Sequence, residues 1–118
     1  MNLNGVQQVG VHVIVNVYNI PNIDDIRLLE NGLPILDEIV SGLDLHVVAR
    51  SGFQFTPIGY SYAYVLSESH FTIHTYPEHR SCYIDIFCCN AAFNAHRAIQ
   101  LIRDKFNSND VRTQIMVR

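Results

Sequence analysis

Hydrophobic and polar residues alternate along much of the chain, and this two-residue period predicts a protein built mainly from β-strands. The clearest case is the segment 11–18, in which a valine occupies every second position. Similar segments predict strands near residues 44–50, 58–66, 70–76 and 83–89, and a last strand at 111–117.

Two other segments repeat their apolar residues every three or four positions, which predicts helices. We expect Asp24 or Asp25 to cap the first helix and Gly42 to end it. Pro34 lies inside this segment and should kink the helix or begin its second half. The second helix is predicted at residues 91–106.

The predicted order β-α-β-β-β-β-α-β favours an α+β fold in a single domain that spans residues 1–118. We expect a two-layer α/β sandwich, in which a mostly antiparallel sheet carries two helices on one face. The other face of the sheet would then lack helices, and a second copy of the chain is a natural cover for it. The sequence therefore predicts a homodimer.

Composition argues against several classes of function. The net charge is −3 and there is no basic run, so neither nucleic acid nor an anionic membrane surface is an expected partner. No apolar segment approaches the roughly 20 residues of a membrane span, and residues 1–5 lack the features of a signal peptide. The odd number of cysteines (Cys82, Cys88 and Cys89) favours a reduced, cytoplasmic protein.

Candidate nucleophiles, bases and thiols are concentrated in two neighbouring predicted strands. Residues 66–78 contain two serines, two histidines and two glutamates, and residues 85–89 add an acid and two thiols. Such a set is what self-processing or covalent catalysis requires. A single histidine on a strand is more often structural, so only the whole cluster argues for function.

If these two strands pair as a hairpin, matching their apolar residues decides which side chains share a face. One such register places Asp85 opposite His74 and Cys89 opposite His70. These four residues would then share the polar face, away from the helices. Cys88 would face the core.

Two other kinds of site are weaker interpretations of the same residues. His70 and His74 have the spacing of zinc ligands on a helix, but on a strand they lie about 13 Å apart, so we expect no metal site. Neither Ser67 nor Ser69 lies in a G-x-S-x-G motif, so a serine hydrolase has only weak support.

The densest motif reads Ser67-Glu68-Ser69-His70-x-x-Ile73-His74-Thr75-x-Pro77-Glu78 and is followed by Asp85-x-Phe87-x-Cys89. An upstream segment reads Phe55-x-Pro57-x-Gly59-x-Ser61, and Gly10-x-His12 precedes both. Together these motifs resemble the prokaryotic S-adenosylmethionine decarboxylases, which are pyruvoyl-dependent enzymes made as small proenzymes.

The resemblance implies that the chain cleaves itself between Glu68 and Ser69. Ser69 Oγ would attack the Glu68 carbonyl, and loss of the Ser69 α-proton would lead to a pyruvoyl group at position 69. Residues 1–68 would form the β chain and residues 69–118 the α chain. The covalent pyruvoyl group, which forms a Schiff base with the substrate, would be the only organic cofactor needed.

The resemblance also assigns roles to individual residues. His74 matches the processing histidine, the base for the α-proton, and Ser61 matches a serine that assists processing. Cys89 matches the cysteine that protonates the product carbon. Glu78 matches a glutamate that holds the substrate, and Phe55 matches an aromatic residue of the binding site. In a straight strand, however, His74 would lie about 16 Å from Ser69 on the opposite face.

The implied activity is decarboxylation of S-adenosylmethionine for the synthesis of spermidine and other polyamines. Three positions depart from the family pattern: Tyr76 replaces the usual Trp, Asn90 the usual Gly and Phe53 a frequent His. Arginine or ornithine therefore stays an alternative substrate. A third possibility is an unprocessed, non-catalytic paralogue that binds a ligand or a partner.

Overall fold

The computed structural model describes residues 9–67 and 69–118, together with the backbone of two short paired strands, β1 (Asn2–Leu3) and β2 (Val6–Gln7). The elements that follow are β3 (Val11–Tyr18), α1 (Asp24–Arg27), α2 (Leu29–Gly42), β4 (Val47–Gln54), β5 (Tyr60–Leu66), β6 (Ser69–Tyr76), a 3-10 turn (Pro77–His79), β7 (Ser81–Cys88), α3 (Ala95–Phe106) and β8 (Asp110–Val117).

Six of the strands form one sheet in the order β4-β5-β6-β7-β3-β8, and each neighbouring pair is antiparallel. The helices of the described residues all lie on one face of this sheet. The result is an α+β two-layer sandwich, which confirms the predicted fold class.

The core lies between the sheet and the helices. Alternate residues of β3, β5, β6 and β7 are buried there, such as Val15, Tyr64, Phe71 and Ile86. The helices contribute a second apolar layer, which consists of Ile26, Leu36, Ile39, Val40, Ala98, Ile102 and Phe106. The period-2 pattern of the strands therefore sorts the side chains between a helix-covered face and an uncovered face.

The first helical segment ends at Gly42, as predicted, but it differs from its prediction at two other points. The residue that precedes α1 is Ile23, which makes no side-chain cap, so neither Asp24 nor Asp25 is the cap. The chain leaves the helical conformation at Leu28 and not at Pro34, which lies inside α2. Pro34 is exposed, so water can reach the carbonyl that loses its helical partner.

The predicted hairpin register of β6 and β7 is wrong by two residues. Thr72, not His74, pairs with Asp85, and His70 pairs with Phe87 and not with Cys89. The reason is a tighter connection: the 3-10 turn, followed by Arg80 in the left-handed conformation, lets Tyr76 pair with Ser81. The shift is even, so His70, His74 and Asp85 still share the uncovered face.

The three cysteines have different surroundings. Cys88 is buried in the core and Cys89 is only half buried, as the alternation of the strand predicts. Cys82, which lies just before the predicted strand 83–89, is fully buried inside β7. Burial raises the pKa of the Cys82 thiol, so this side chain stays protonated and serves packing.

Candidate active site

A serine–histidine pair lies on the uncovered face at one end of β6. Ser61 of β5 and His74 of β6 occupy paired positions, and Ser61 Oγ lies 2.6 Å from His74 Nδ1. This hydrogen bond fixes the orientation of the imidazole ring. His74 is itself exposed, so its other ring nitrogen can be reached by a group from outside.

A cavity of about 480 Å³ opens beside this pair. Its lining contains four of the residues that the sequence assigned to processing and substrate binding, namely Phe55, Ser61, His74 and Glu78. Tyr76 adds a second aromatic ring to the wall. The arrangement can hold a flat ring system against Phe55 or Tyr76 and place a polar or cationic group near the Glu78 carboxylate.

A serine–cysteine pair lies at the opposite end of β6. Ser69 Oγ is 3.3 Å from Cys89 Sγ, a hydrogen-bond distance for sulfur, and both side chains are partly buried. Ser69 is the first residue of β6 and pairs with Cys88, so Cys89 follows directly at the end of β7. The structure thus brings together the predicted pyruvoyl precursor and the predicted proton donor. Glu68, the other side of the predicted cleavage bond, lies outside the described residues.

The two pairs are separate within one chain. Residues 69–76 form one continuous strand, so the Cα atoms of Ser69 and His74 lie about 16 Å apart. A general base must come within hydrogen-bond reach of the proton that it removes. His74 therefore does not reach Ser69 of its own chain.

One further pair was not identified from the sequence. His12 Nε2 lies 2.8 Å from Asp85 Oδ1, and the ring of His12 lies 6.4 Å from that of His70. The signal was present in the alternation of β3, because His12 shares its face with polar Asn16 and not with the buried valines. The partner of His12 could not be identified without the pairing register of β3 and β7.

The described residues contain neither a metal-binding cluster nor a membrane-spanning helix. Within residues 9–67 and 69–118, no three or more His, Cys, Asp or Glu residues are grouped so as to hold a metal ion. No helix in the described part of the chain has the length and apolar character needed to span a membrane.

The fold and the site together define a class of small proteins: a one-sided antiparallel sheet that carries a serine–thiol pair and a serine–histidine pair at opposite ends of one strand. The family model for S-adenosylmethionine decarboxylase matches residues 11–118. This chain belongs to the S-adenosylmethionine decarboxylase family.

Known proteins resemble the chain over nearly its whole length. The S-adenosylmethionine decarboxylase proenzyme of Clostridium botulinum (strain Langeland) is 30% identical over 109 residues, which cover 92% of this chain and 93% of that protein. The proenzyme of Aquifex aeolicus is 29% identical over 109 residues, with coverage of 92% and 80%. The crystal structure of adenosylmethionine decarboxylase from the same organism superposes with a TM-score of 0.86 at 27% identity, covering 96% of this chain and 92% of that one.

Proposed function

We propose that this chain is a self-processing, pyruvoyl-dependent decarboxylase of S-adenosylmethionine. The observation that carries the proposal is the 3.3 Å contact between Ser69 Oγ and Cys89 Sγ. It joins the residue from which the cofactor would form to a thiol that can act as an acid. Family membership supports the same activity and does not favour arginine, ornithine or a non-catalytic role.

Processing requires only backbone and side-chain groups of the chain and one water molecule. Ser69 Oγ attacks the carbonyl carbon of Glu68, so an ester bond forms while the peptide C–N bond breaks. Removal of the Ser69 α-proton expels the Glu68 carboxylate and leaves dehydroalanine. Addition of one water and loss of one ammonia then give the pyruvoyl end of residues 69–118. Residues 1–68 are the other product, and no external oxidant or cofactor is needed.

The residues around position 69 suit such a group. When present, the pyruvoyl group supplies an electron sink for the charge left by decarboxylation. Cys89 holds its thiol beside position 69, where it can donate a proton to the substrate α-carbon.

The cavity at the other end of β6 supports the choice of substrate. Phe55 and Tyr76 offer aromatic faces for an adenine ring, and an aromatic face also attracts a sulfonium cation. Glu78 is the only acid among the described residues that line the cavity, and its carboxylate can accept hydrogen bonds from ribose hydroxyls. Arginine or ornithine would be expected to require more acidic groups and less aromatic surface.

Release of labelled CO₂ tests this choice of substrate directly. We expect the purified, cleaved protein to release CO₂ from carboxyl-labelled S-adenosylmethionine and not from arginine or ornithine at equal concentration. Mass spectrometry of the same sample should show two fragments, the second of them starting with pyruvoyl at position 69. Activity on arginine or ornithine alone would refute S-adenosylmethionine as the substrate. A chain that stays intact after long incubation would refute the proposal that the protein is an enzyme.

We propose a homodimer because the serine–cysteine pair and the serine–histidine pair are too far apart within one chain to act together. The uncovered face of the sheet exposes large apolar side chains, including Phe53, Val65 and Met116. A second copy that covers this face would bury them, which favours association. If a two-fold axis passes near the middle of β6, at Thr72, the His74 end of one chain meets the Ser69 end of the other. Each dimer then has two complete sites.

Co-expression of two differently tagged variants tests this arrangement. Neither the Ser69→Ala nor the His74→Ala homodimer should cleave efficiently, since the first lacks the nucleophile and the second lacks the base. In a mixed dimer, the His74→Ala chain keeps Ser69 and meets His74 of its partner. We therefore expect roughly half of the His74→Ala chains to be cleaved after random mixing. Absence of cleavage in verified mixed dimers would show that the base does not come from the partner.

The same proposal implies a metabolic role for the product and a cellular compartment for the protein. We propose that the product supplies aminopropyl groups for spermidine and other polyamines. The proposed role of Cys89 needs a reduced thiol, so a reducing, cytoplasmic setting suits the protein.

A further inference from the structure

Gln54, the last residue of β4, connects the cavity wall to the helical layer through its side-chain amide. Its Oε1 accepts a hydrogen bond from the Leu29 amide at 2.6 Å. Its Nε2 lies 3.0 Å from the Arg27 carbonyl, 3.1 Å from that of Phe55 and 2.9 Å from that of Gly59. An amide nitrogen has two hydrogens, so one of them is shared between two carbonyls. All four partners are backbone atoms.

The break between α1 and α2 provides two of these partners. Leu28 adopts an extended conformation, with φ −121° and ψ 129°, so the helical hydrogen-bond pattern is interrupted there. Leu29 begins α2, and the first amides of a helix have no partner inside the helix. No side chain at the N-cap position supplies one. Gln54 therefore caps α2 from a neighbouring strand.

The other two partners lie at both ends of the loop 55–59. Phe55 donates its amide hydrogen to the Gly59 carbonyl at 2.8 Å, which closes the loop, and Gly59 donates to the Arg27 carbonyl at 2.8 Å. Gly59 has φ +99°, a conformation that glycine adopts without strain. The loop is thus closed by the bond between Phe55 and Gly59, and it is fixed to the helix break by the bond between Gly59 and Arg27. Gln54 bonds to all three of these residues.

This loop places Phe55 in the cavity wall. The Phe55 side chain is 46% exposed, so core packing does not hold it. Its ring contacts that of Phe53 edge to face, at 4.9 Å between centroids. When an exposed ring binds a ligand, the ring and its loop lose conformational entropy. This entropic cost is smaller if the backbone of the loop is already fixed before the ligand binds.

We propose that Gln54 is a positioning residue for the substrate, acting through Phe55. The inference rests on the proposed function, in which Phe55 binds the adenine ring. Gln54 is not among the residues that line the cavity. Its contribution is to hold the Phe55 backbone at a set distance from the helix break. It strengthens binding of the substrate and has no part in cleavage or proton transfer.

Steady-state kinetics of Gln54→Met and Gln54→Glu test the proposal. Met keeps the length of the side chain and removes its hydrogen bonds, whereas Glu keeps the acceptor for Leu29 but cannot donate to the three carbonyls. Both variants should cleave normally and keep kcat within about twofold, while KM for S-adenosylmethionine rises about tenfold, as expected for lost hydrogen bonds to backbone carbonyls. Gln100→Met is the matched control, since Gln100 bonds only to Asp104 of its own helix in the described contacts, and it should leave KM unchanged.

A double-mutant cycle with Phe55→Ala separates positioning from general stability. If Gln54 acts through Phe55, Gln54→Met should raise KM little further once the ring is gone. Additive effects on KM, or a fall in cleavage and kcat with unchanged KM, would overturn the inference. If Phe55→Ala raises KM and neither Gln54 variant does, only the role of Gln54 fails. If Phe55→Ala itself leaves KM unchanged, the assigned role of Phe55 fails as well, and the inference fails with it.

Discussion

Ser69→Ala is expected to stay a single uncleaved chain with no decarboxylase activity. Alanine has no hydroxyl oxygen to attack the Glu68 carbonyl, so the ester cannot form and the pyruvoyl group has no precursor. The fold should be unaffected, because position 69 begins a strand whose pairing with Cys88 uses backbone atoms. Mass spectrometry and a CO₂-release assay on the same preparation measure both effects.

Ser67→Ala is the matched control for this prediction. Ser67 lies two residues upstream, in the turn between β5 and β6, and its backbone amide bonds to the His46 carbonyl. Because that bond uses only the backbone, the variant should cleave between Glu68 and Ser69 as the unaltered protein does. Efficient cleavage of Ser69→Ala at this same bond would refute the assigned nucleophile. Loss of cleavage in Ser67→Ala would point to Ser67, rather than Ser69, as the nucleophile.

Alternation along the strands predicts which face each side chain occupies, but not the residue that it meets across the sheet. The buried residues Phe71 and Ile86 fix the parity of β6 and β7, because the opposite parity would expose both. A shift by two residues keeps this parity, so the apolar pattern alone cannot exclude it. The choice depends on the turn, in which Arg80 adopts a left-handed conformation and donates its amide hydrogen to the Pro77 carbonyl. That local geometry has no simple signature in the sequence.

The helical layer shows a similar limit. Periodicity predicted one helix with a disturbance at Pro34, since proline removes a helical hydrogen bond. The actual break lies at Leu28, an ordinary helix-forming residue. Bonds from elsewhere in the chain stabilise it: Gln54 and Gly59 bond to the exposed backbone of Arg27 and Leu29. Because these partners are 25 or more residues away in sequence, a local pattern cannot predict the break.

The candidate site was predictable as a set of residues but not as an arrangement. The motif around Ser69, His74 and Cys89 predicts the chemistry through its resemblance to a family. The structure adds that Ser69 adjoins Cys89 while His74 adjoins Ser61, at the two ends of one strand. In the proposed homodimer, each complete site combines opposite ends of β6 from two chains, and the sequence of one chain does not describe how two copies would meet.

Cys89→Ala is expected to cleave normally and then turn over slowly. Cleavage needs the Ser69 hydroxyl and a base, and Cys89 supplies neither. Turnover needs an acid at the substrate α-carbon after CO₂ leaves, and the 3.3 Å contact with Ser69 Oγ makes Cys89 the candidate. A positioned general acid typically contributes about 10²–10⁴-fold, so kcat should fall by at least roughly 10²-fold. KM should change little, because Cys89 does not line the aromatic cavity.

Cys88→Ala distinguishes the thiol that reacts from the thiol that packs. Cys88 is 2% exposed and belongs to the core side of β7, so its replacement should lower the melting temperature and leave kcat nearly unchanged. The two adjacent cysteines should therefore give opposite results, one affecting turnover and the other stability. Undiminished turnover in Cys89→Ala would remove it as the proton donor. Cys82 is fully buried, and it lies at the opposite end of β7 from Cys88, the residue that pairs with Ser69. The proton donor would then have to be another residue or water.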